Sequence, residues 1–256
     1  MDISPNNIEI YLLMFLVYIF AGTIKGVIGI GLPTTGMTIL TAFLTPLEAI
    51  GLNILPMFAT NIFQFLKADN LKKVIFSYWK FALIMCLIFL YLSFQISGYS
   101  NDLLGVIISF SIILFAVTNV FSKIFSINSK YDSLWQIILG IFSGVIGGFT
   151  SMWGVPLTIY LLMKNLKPKE FIDASGFLIS IGCIPLSIGF YNTNVFNLDM
   201  FWPSLVGLLA GLCGFKIGEY LRKFVAPELF RKLVLFIFFM MGLRMFYQSL
   251  KSFEIF

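Results

Sequence analysis

Residues 21–36 read AGTIKGVIGIGLPTTG. They fall inside a long apolar run, yet they hold five glycines, Pro33 and one lysine, Lys25. Inside a helix a glycine costs about 1 kcal/mol and a proline about 3 kcal/mol relative to alanine, so this stretch predicts a break. A lysine at the centre of a bilayer adds a further cost of about 2.5–3.5 kcal/mol on insertion scales. Such features are kept in a membrane segment where they line a path or a site, because unpaired backbone is tolerated only inside protein or beside water.

The rest of the chain supports the membrane setting. Hydrophobic residues make up 59% of the 256 residues and charged residues 11%, with a mean hydropathy of +0.96. Soluble domains carry about 25% charged residues. Apolar runs recur near 8–32, 34–44, 47–66, 74–97, 103–121, 134–163, 171–190, 199–215 and 229–250, and no polar block between them could form a soluble domain. The chain reads as one all-α integral membrane domain with eight major hydrophobic segments. No Lys or Arg precedes the first apolar run and no small-residue cleavage site follows it, which argues against a cleavable signal peptide.

Several function classes drop out. There is no histidine, which removes the commonest general base and metal ligand. Cys86, Cys183 and Cys213 sit within apolar segments without metal-ligand spacing and read as packing residues, so neither metal nor cofactor is expected. The net charge of +5 comes from basic residues in short loops beside the apolar runs, the pattern of membrane topology rather than nucleic-acid binding. With no paired intramembrane acids and no serine–base constellation, the chain does not read as an enzyme.

The opening stretch is echoed by SGVIGGFTSMWGVPLT at 143–158. Gly22 and Gly26 match Gly144 and Gly148 at an offset of 122, and both stretches end in Gly-x-Pro, at Gly31–Pro33 and Gly154–Pro156. Each is followed by a Pro-x-Glu, Pro46–Glu48 and Pro168–Glu170. The chain thus divides into a half at 1–126 with a hairpin at 8–44, and a half at 127–256 with a hairpin at 134–163, each hairpin followed by three helices.

Two topologies compete. If all eight segments cross, the basic residues split eight and eight between the two sides. If each glycine-rich segment is instead a broken, re-entrant hairpin, 14 lie on one side and two on the other, with Lys25 buried. The positive-inside rule selects the second count. It predicts two inverted-topology repeats in a bacterial-type inner membrane, with the basic loops cytoplasmic. The descending arm at 134–146, about 20 Å long as a helix, is also short of a bilayer core of about 30 Å.

Matching breaks in two halves point to a substrate site. Each helix resumes at a proline, and the free N–H groups and positive dipole end there favour an anion. Gly29, Gly31, Thr34 and Thr35 would line the first half of the site, and Ser151, Trp153 and Gly154 the second. Lys25 would supply a positive charge, or else snorkel or pair with a buried carboxylate. Asn53, Asn61 and Gln64 share one helix face, as do Asp173 and Ser180; such stripes either line a cavity or pack helices together. Thr45–Glu48 reads as a capping box.

AGTIKGVIGIGLP at 21–33, TPLEAIGLNILPMFATNIFQ at 45–64 and SGVIGGFTSMWGVP at 143–156 together resemble the sulfite exporter TauE/SafE family, also called the toluene-sulfonate uptake permeases. Many members run three glycines before the proline; this chain has Gly29-Ile30-Gly31-Leu32 in one half and Ser151-Met152-Trp153 in the other. The resemblance spans essentially the whole chain and implies a membrane transporter of sulfite, a sulfonate or another small organic anion. The reading is a secondary active transporter coupled to H⁺ or Na⁺, since nothing resembles an ATP-binding loop. The alternatives are a passive anion channel and a non-catalytic membrane subunit of a larger complex, and a homo-oligomer is compatible with each.

Overall fold

The computed structural model describes residues 3, 7–29, 31–120, 126–224 and 227–253. Most of the extreme N-terminus, Lys123 and the side chain of Arg231 lie outside the described residues. The described residues form α1 (Ile8–Ile28), α2 (Leu32–Leu40), α3 (Pro46–Leu66), α4 (Leu71–Ser93) and α5 (Asn101–Val120). The second set is α6 (Asp132–Thr150), α7 (Gly154–Met163), α8 (Pro168–Asn192), α9 (Leu198–Leu221) and α10 (Pro227–Phe253). Among the described residues there is no strand, and every helix except α2 and α7 contains a stretch long and apolar enough to cross a membrane. The protein is a multi-pass all-α membrane protein.

The breaks are narrower than the glycine content suggests. α1 continues through Gly22 and Gly26, and α6 through Gly140, Gly144, Gly147 and Gly148. The chain leaves helical geometry at Gly29 and Gly31, with φ of 97° and 103°, and at Ser151, with φ of 55°. At its 19 residues, α6 is about 28 Å long at about 1.5 Å per residue. The short descending arm expected at 134–146 is therefore corrected: the helix runs on because its glycines pack against a neighbour instead of breaking it.

Both short helices double back. The Tyr160 hydroxyl of α7 donates to Asp132 Oδ1 at the start of α6 (2.9 Å), and Lys164 Nζ reaches the same oxygen at 3.0 Å. The Met163 carbonyl accepts from the Ile127 N–H at 3.0 Å. The end of α7 thus returns to the level where α6 began. In the first hairpin Tyr18 of α1 touches Gly36 of α2, and its hydroxyl donates to Asn53 Oδ1 of α3 at 2.7 Å.

The most extensive helix pairings are α1 with α9, α4 with α6, α3 with α8 and α9, α4 with α8, and α5 with α10. Exchanging α1–α5 for α6–α10 in order leaves this set unchanged. α5 and α10 run antiparallel, since Gly105 meets Ser249 while Phe115 meets Phe238. α1 runs parallel to α9 (Gly207 against Met14, Gly218 against Gly26), and α6 runs parallel to α4 (Gly140 against Phe81, Gly148 against Leu92). Of the helices long enough to cross a membrane, α3 and α8 are the most enclosed and α4 and α10 the most exposed.

Helices already in lipid gain little from burying apolar side chains, so they associate through close packing between small residues. Gly22-x-x-x-Gly26 on α1 meshes with Gly214-x-x-x-Gly218 on α9. A methyl group on Gly26 would sit 2.6 Å from the Gly218 Cα and 2.8 Å from the Glu219 nitrogen. Arg222, just past α9, closes the pair by donating from Nε to the Val27 carbonyl at 2.9 Å and from its terminal nitrogen to the Gly26 carbonyl. These are carbonyls near a helix C-terminus, where a cation is favoured. On α6, Gly144, Gly147 and Gly148 instead accommodate the side chains of Ile88, Phe89 and Leu92, and Gly140 faces the Phe81 backbone.

Contacts between loops gather at one end of the bundle: Lys169 pairs with Asp69, Lys67 lies 3.9 Å from Glu219, and Lys164 holds Asp132. Glu48 accepts from the Thr45 N–H at 2.8 Å, and Glu170 from the Lys167 N–H at 3.2 Å. Both therefore act as helix caps, Glu170 without the usual capping side chain before it.

Candidate functional site

The two breaks face one cavity. Gly31, Pro33 and Thr34 line it from the first, and Ser151, Met152, Trp153, Gly154, Leu157 and Thr158 from the second. Met57 of α3, Phe115 of α5 and Ile179 of α8 complete the wall. The lining belongs to the N-terminal ends of α2 and α7, where N–H groups lack intrahelical partners. The space open to the centre of a water-sized sphere is about 20 Å³, about enough for one water.

Two residues of this wall carry a side-chain polar atom that is buried without a hydrogen-bond partner, Ser151 Oγ and Trp153 Nε1. Buried polar groups are normally satisfied, and an orphan donor costs about 1–3 kcal/mol. Ser151 is also a non-glycine residue in the left-handed region, a conformation concentrated at functional sites. At Gly31 nothing lies within 4 Å of where a Cβ would stand, so the backbone of the first break fronts open space.

The other expected site residues are placed differently. Lys25 is in the last turn of α1, 1% exposed, and donates from Nζ to Asn61 Oδ1 at 2.6 Å. Its ammonium also lies 5.8 Å from the centre of the Phe215 ring. It is not among the residues that line the cavity. Asn61 Nδ2 donates to the Met57 carbonyl at 2.7 Å, so the pair is joined to the cavity wall through the backbone of Met57. Asn53 accepts from Tyr18 and donates to the Pro33 carbonyl at 3.5 Å, bracing the start of α2. Gln64 Nε2 crosses to the Ile172 carbonyl at 2.6 Å and Ser175 Oγ at 3.1 Å, while Gln64 Oε1 is buried without a partner.

Thr35 and Ser180 turn their hydroxyls back onto the Gly31 and Gly176 carbonyls, at 2.8 and 2.6 Å. Gly29 lies against Ile172 of α8. Thr158 was not among the expected residues, although Pro156-Leu157-Thr158 repeats the spacing of Pro33-Thr34-Thr35. Met57, Phe115, Met152, Leu157 and Ile179 carried no signal distinguishing cavity wall from packing. A wider recess of about 300 Å³ opens among the loops, with Lys73, Lys164, Glu170 and Asp173 in its wall.

Paired helix breaks at a shared cavity within a bundle of membrane-spanning length are the architecture of a membrane transporter. The chain belongs to the sulfite exporter TauE/SafE family, whose profile matches residues 14–245. This is a membrane transporter family associated with sulfur-containing anions. No curated protein and no solved structure matches the chain.

Proposed function

We propose that the protein is a secondary active transporter of a small organic or sulfur-containing anion of the sulfite, sulfonate or carboxylate type, working by alternating access. The observation that carries this reading is the cavity between the breaks, lined by the N-terminal ends of α2 and α7 and by two residues with unpartnered buried donors, Ser151 and Trp153. An anion there would receive hydrogen bonds and the positive ends of two helix dipoles. The two halves, 1–126 and 127–256, act as inverted repeats; the exchange-invariant pairing and the antiparallel run of α5 against α10 support this. Rocking one half against the other would expose the cavity to each side in turn, with the basic loops cytoplasmic and H⁺ or Na⁺ supplying the drive.

Lys25 acts at a distance from the anion in this scheme. Its acceptor Asn61 has a neighbour three residues on, Gln64, whose Oε1 is buried and unpaired. Three residues along a helix are about 4.5 Å, so a small shift of α1 along α3 moves the ammonium from one acceptor to the other. Packed interfaces switch between such discrete seats rather than deforming continuously.

Reconstituted vesicles test the site. Ser151→Ala and Trp153→Phe are each expected to weaken binding of a small anion by about tenfold or more, since a hydrogen bond to a charged group contributes about 1.5–3 kcal/mol. Thermal stability should hold in Ser151→Ala, whose hydroxyl has no partner to lose, whereas Trp153→Phe also shrinks a fully buried side chain packed on Phe89 and should lower it modestly. Wild-type affinity in both variants would remove the cavity from consideration. Accumulation of anion against its gradient distinguishes a carrier from a passive channel.

A further inference from the structure

We infer that the cavity selects anions carrying a single negative charge and rejects dianions of the same shape. This rests on the anion-site reading above and adds the charge state of the substrate to it.

Every side chain in the wall is neutral: Pro33, Thr34, Met57, Phe115, Ser151, Met152, Trp153, Leu157, Thr158 and Ile179, with Gly31 and Gly154 presenting backbone only. The hydroxyl of Ser151 and the indole N–H of Trp153 are donors without a formal charge. The positive potential available within the wall is that of two helix N-termini. Each is equivalent to roughly half an elementary charge, so the two together answer about one negative charge. The buried lysine, Lys25, donates from Nζ to Asn61 and lies beside the Phe215 ring, outside the lining. Thr34 and Thr158 add only neutral hydroxyls, and the remaining lining side chains are those of Pro33, Met57, Phe115, Met152, Leu157 and Ile179. These offer nothing to a second charge and good contact to an apolar substituent.

A second negative charge would therefore enter without compensation. Desolvating an unpaired ion in a low-dielectric site is penalised far more heavily than losing one hydrogen bond. A monoanion whose tetrahedral head meets the donors and whose substituent meets the apolar wall suffers no such penalty.

Three ligands separate charge from shape: methanesulfonate, perchlorate and sulfate, titrated into the purified full-length wild-type protein in detergent at pH 7.5 and read by calorimetry. Perchlorate has the tetrahedral form of sulfate with one charge fewer, and methanesulfonate replaces one oxygen with a methyl group. Methanesulfonate and perchlorate are both expected to bind at least about tenfold more tightly than sulfate. Sulfate within tenfold of methanesulfonate would overturn the inference. So would perchlorate as weak as sulfate, which would assign the discrimination to the methyl group. If none of the three binds, the anion site fails, and the charge selectivity fails with it.

Discussion

Gly26→Ala is expected to destabilise the folded protein by about 3 kcal/mol, the upper part of the range for overpacking a well-packed interior. Gly26→Leu is expected to abolish assembly. The cause is geometric. The added methyl would stand 2.6 Å from the Gly218 Cα and 2.8 Å from the Glu219 nitrogen, and it would also strike the Phe215 carbonyl. All are backbone atoms of α9, with no rotamer change available to relieve the clash. α1 would have to move away from α9, taking with it the Arg222 bonds to Gly26 and Val27. Gly98→Ala is the control, because nothing lies within 4 Å of its Cβ position. Thermal unfolding in mild detergent, followed by size exclusion, compares the three. A Gly26→Ala protein that melts with the wild type would show that α1 and α9 are not in backbone contact.

Lys25→Met is expected to reduce transport more than tenfold while leaving anion affinity within a few fold of wild type. Methionine keeps much of the side-chain length but removes the hydrogen bond to Asn61 Oδ1. Leaving that oxygen unsatisfied costs about 1–3 kcal/mol. Removing a buried ammonium returns a desolvation penalty of similar or larger size, so the melting temperature should change little. The discriminating quantity is the split between binding and turnover. A residue in the anion's own shell would lose both, whereas one that moves between Asn61 and Gln64 loses turnover. Gln64→Leu removes the second acceptor and should give the same pattern. Unchanged flux in Lys25→Met would leave the lysine a structural role only.

The sequence carries the features that depend on local chemistry. Length and apolar composition predict the eight segments, Thr45 and Glu48 predict a cap, and Gly29 and Gly31 mark the positive-φ turn. Gly22 and Gly26 look no different from those two along the chain. Only the arrival of α9, some 190 residues later, makes them packing glycines and lets α1 run past them. Asn61 posed a similar difficulty. A polar stripe on α3 fits both cavity lining and helix packing, and the partner that decides its role, Lys25, lies 36 residues away. The apolar half of the cavity was the least legible, because Met57 and Ile179 are ordinary membrane-helix residues until two breaks open beside them.

The two hairpins are clasped by different means. Backbone meets backbone at close range all along α1 and α9, with Arg222 fastening the end, while α6 nears backbone only at Gly140, opposite Phe81, and otherwise rests on the side chains of Ile88, Phe89 and Leu92. Side chains can repack by changing rotamer, whereas a backbone seam moves as a unit. In an alternating-access cycle the outward-open and inward-open forms would interchange the roles of the two halves, so an asymmetric clasp gives those forms unequal free energies. A difference of only about 1.4 kcal/mol sets a tenfold ratio between them. The carrier would then rest predominantly with its mouth to one side, and equal anion concentrations across the membrane would still meet it unequally.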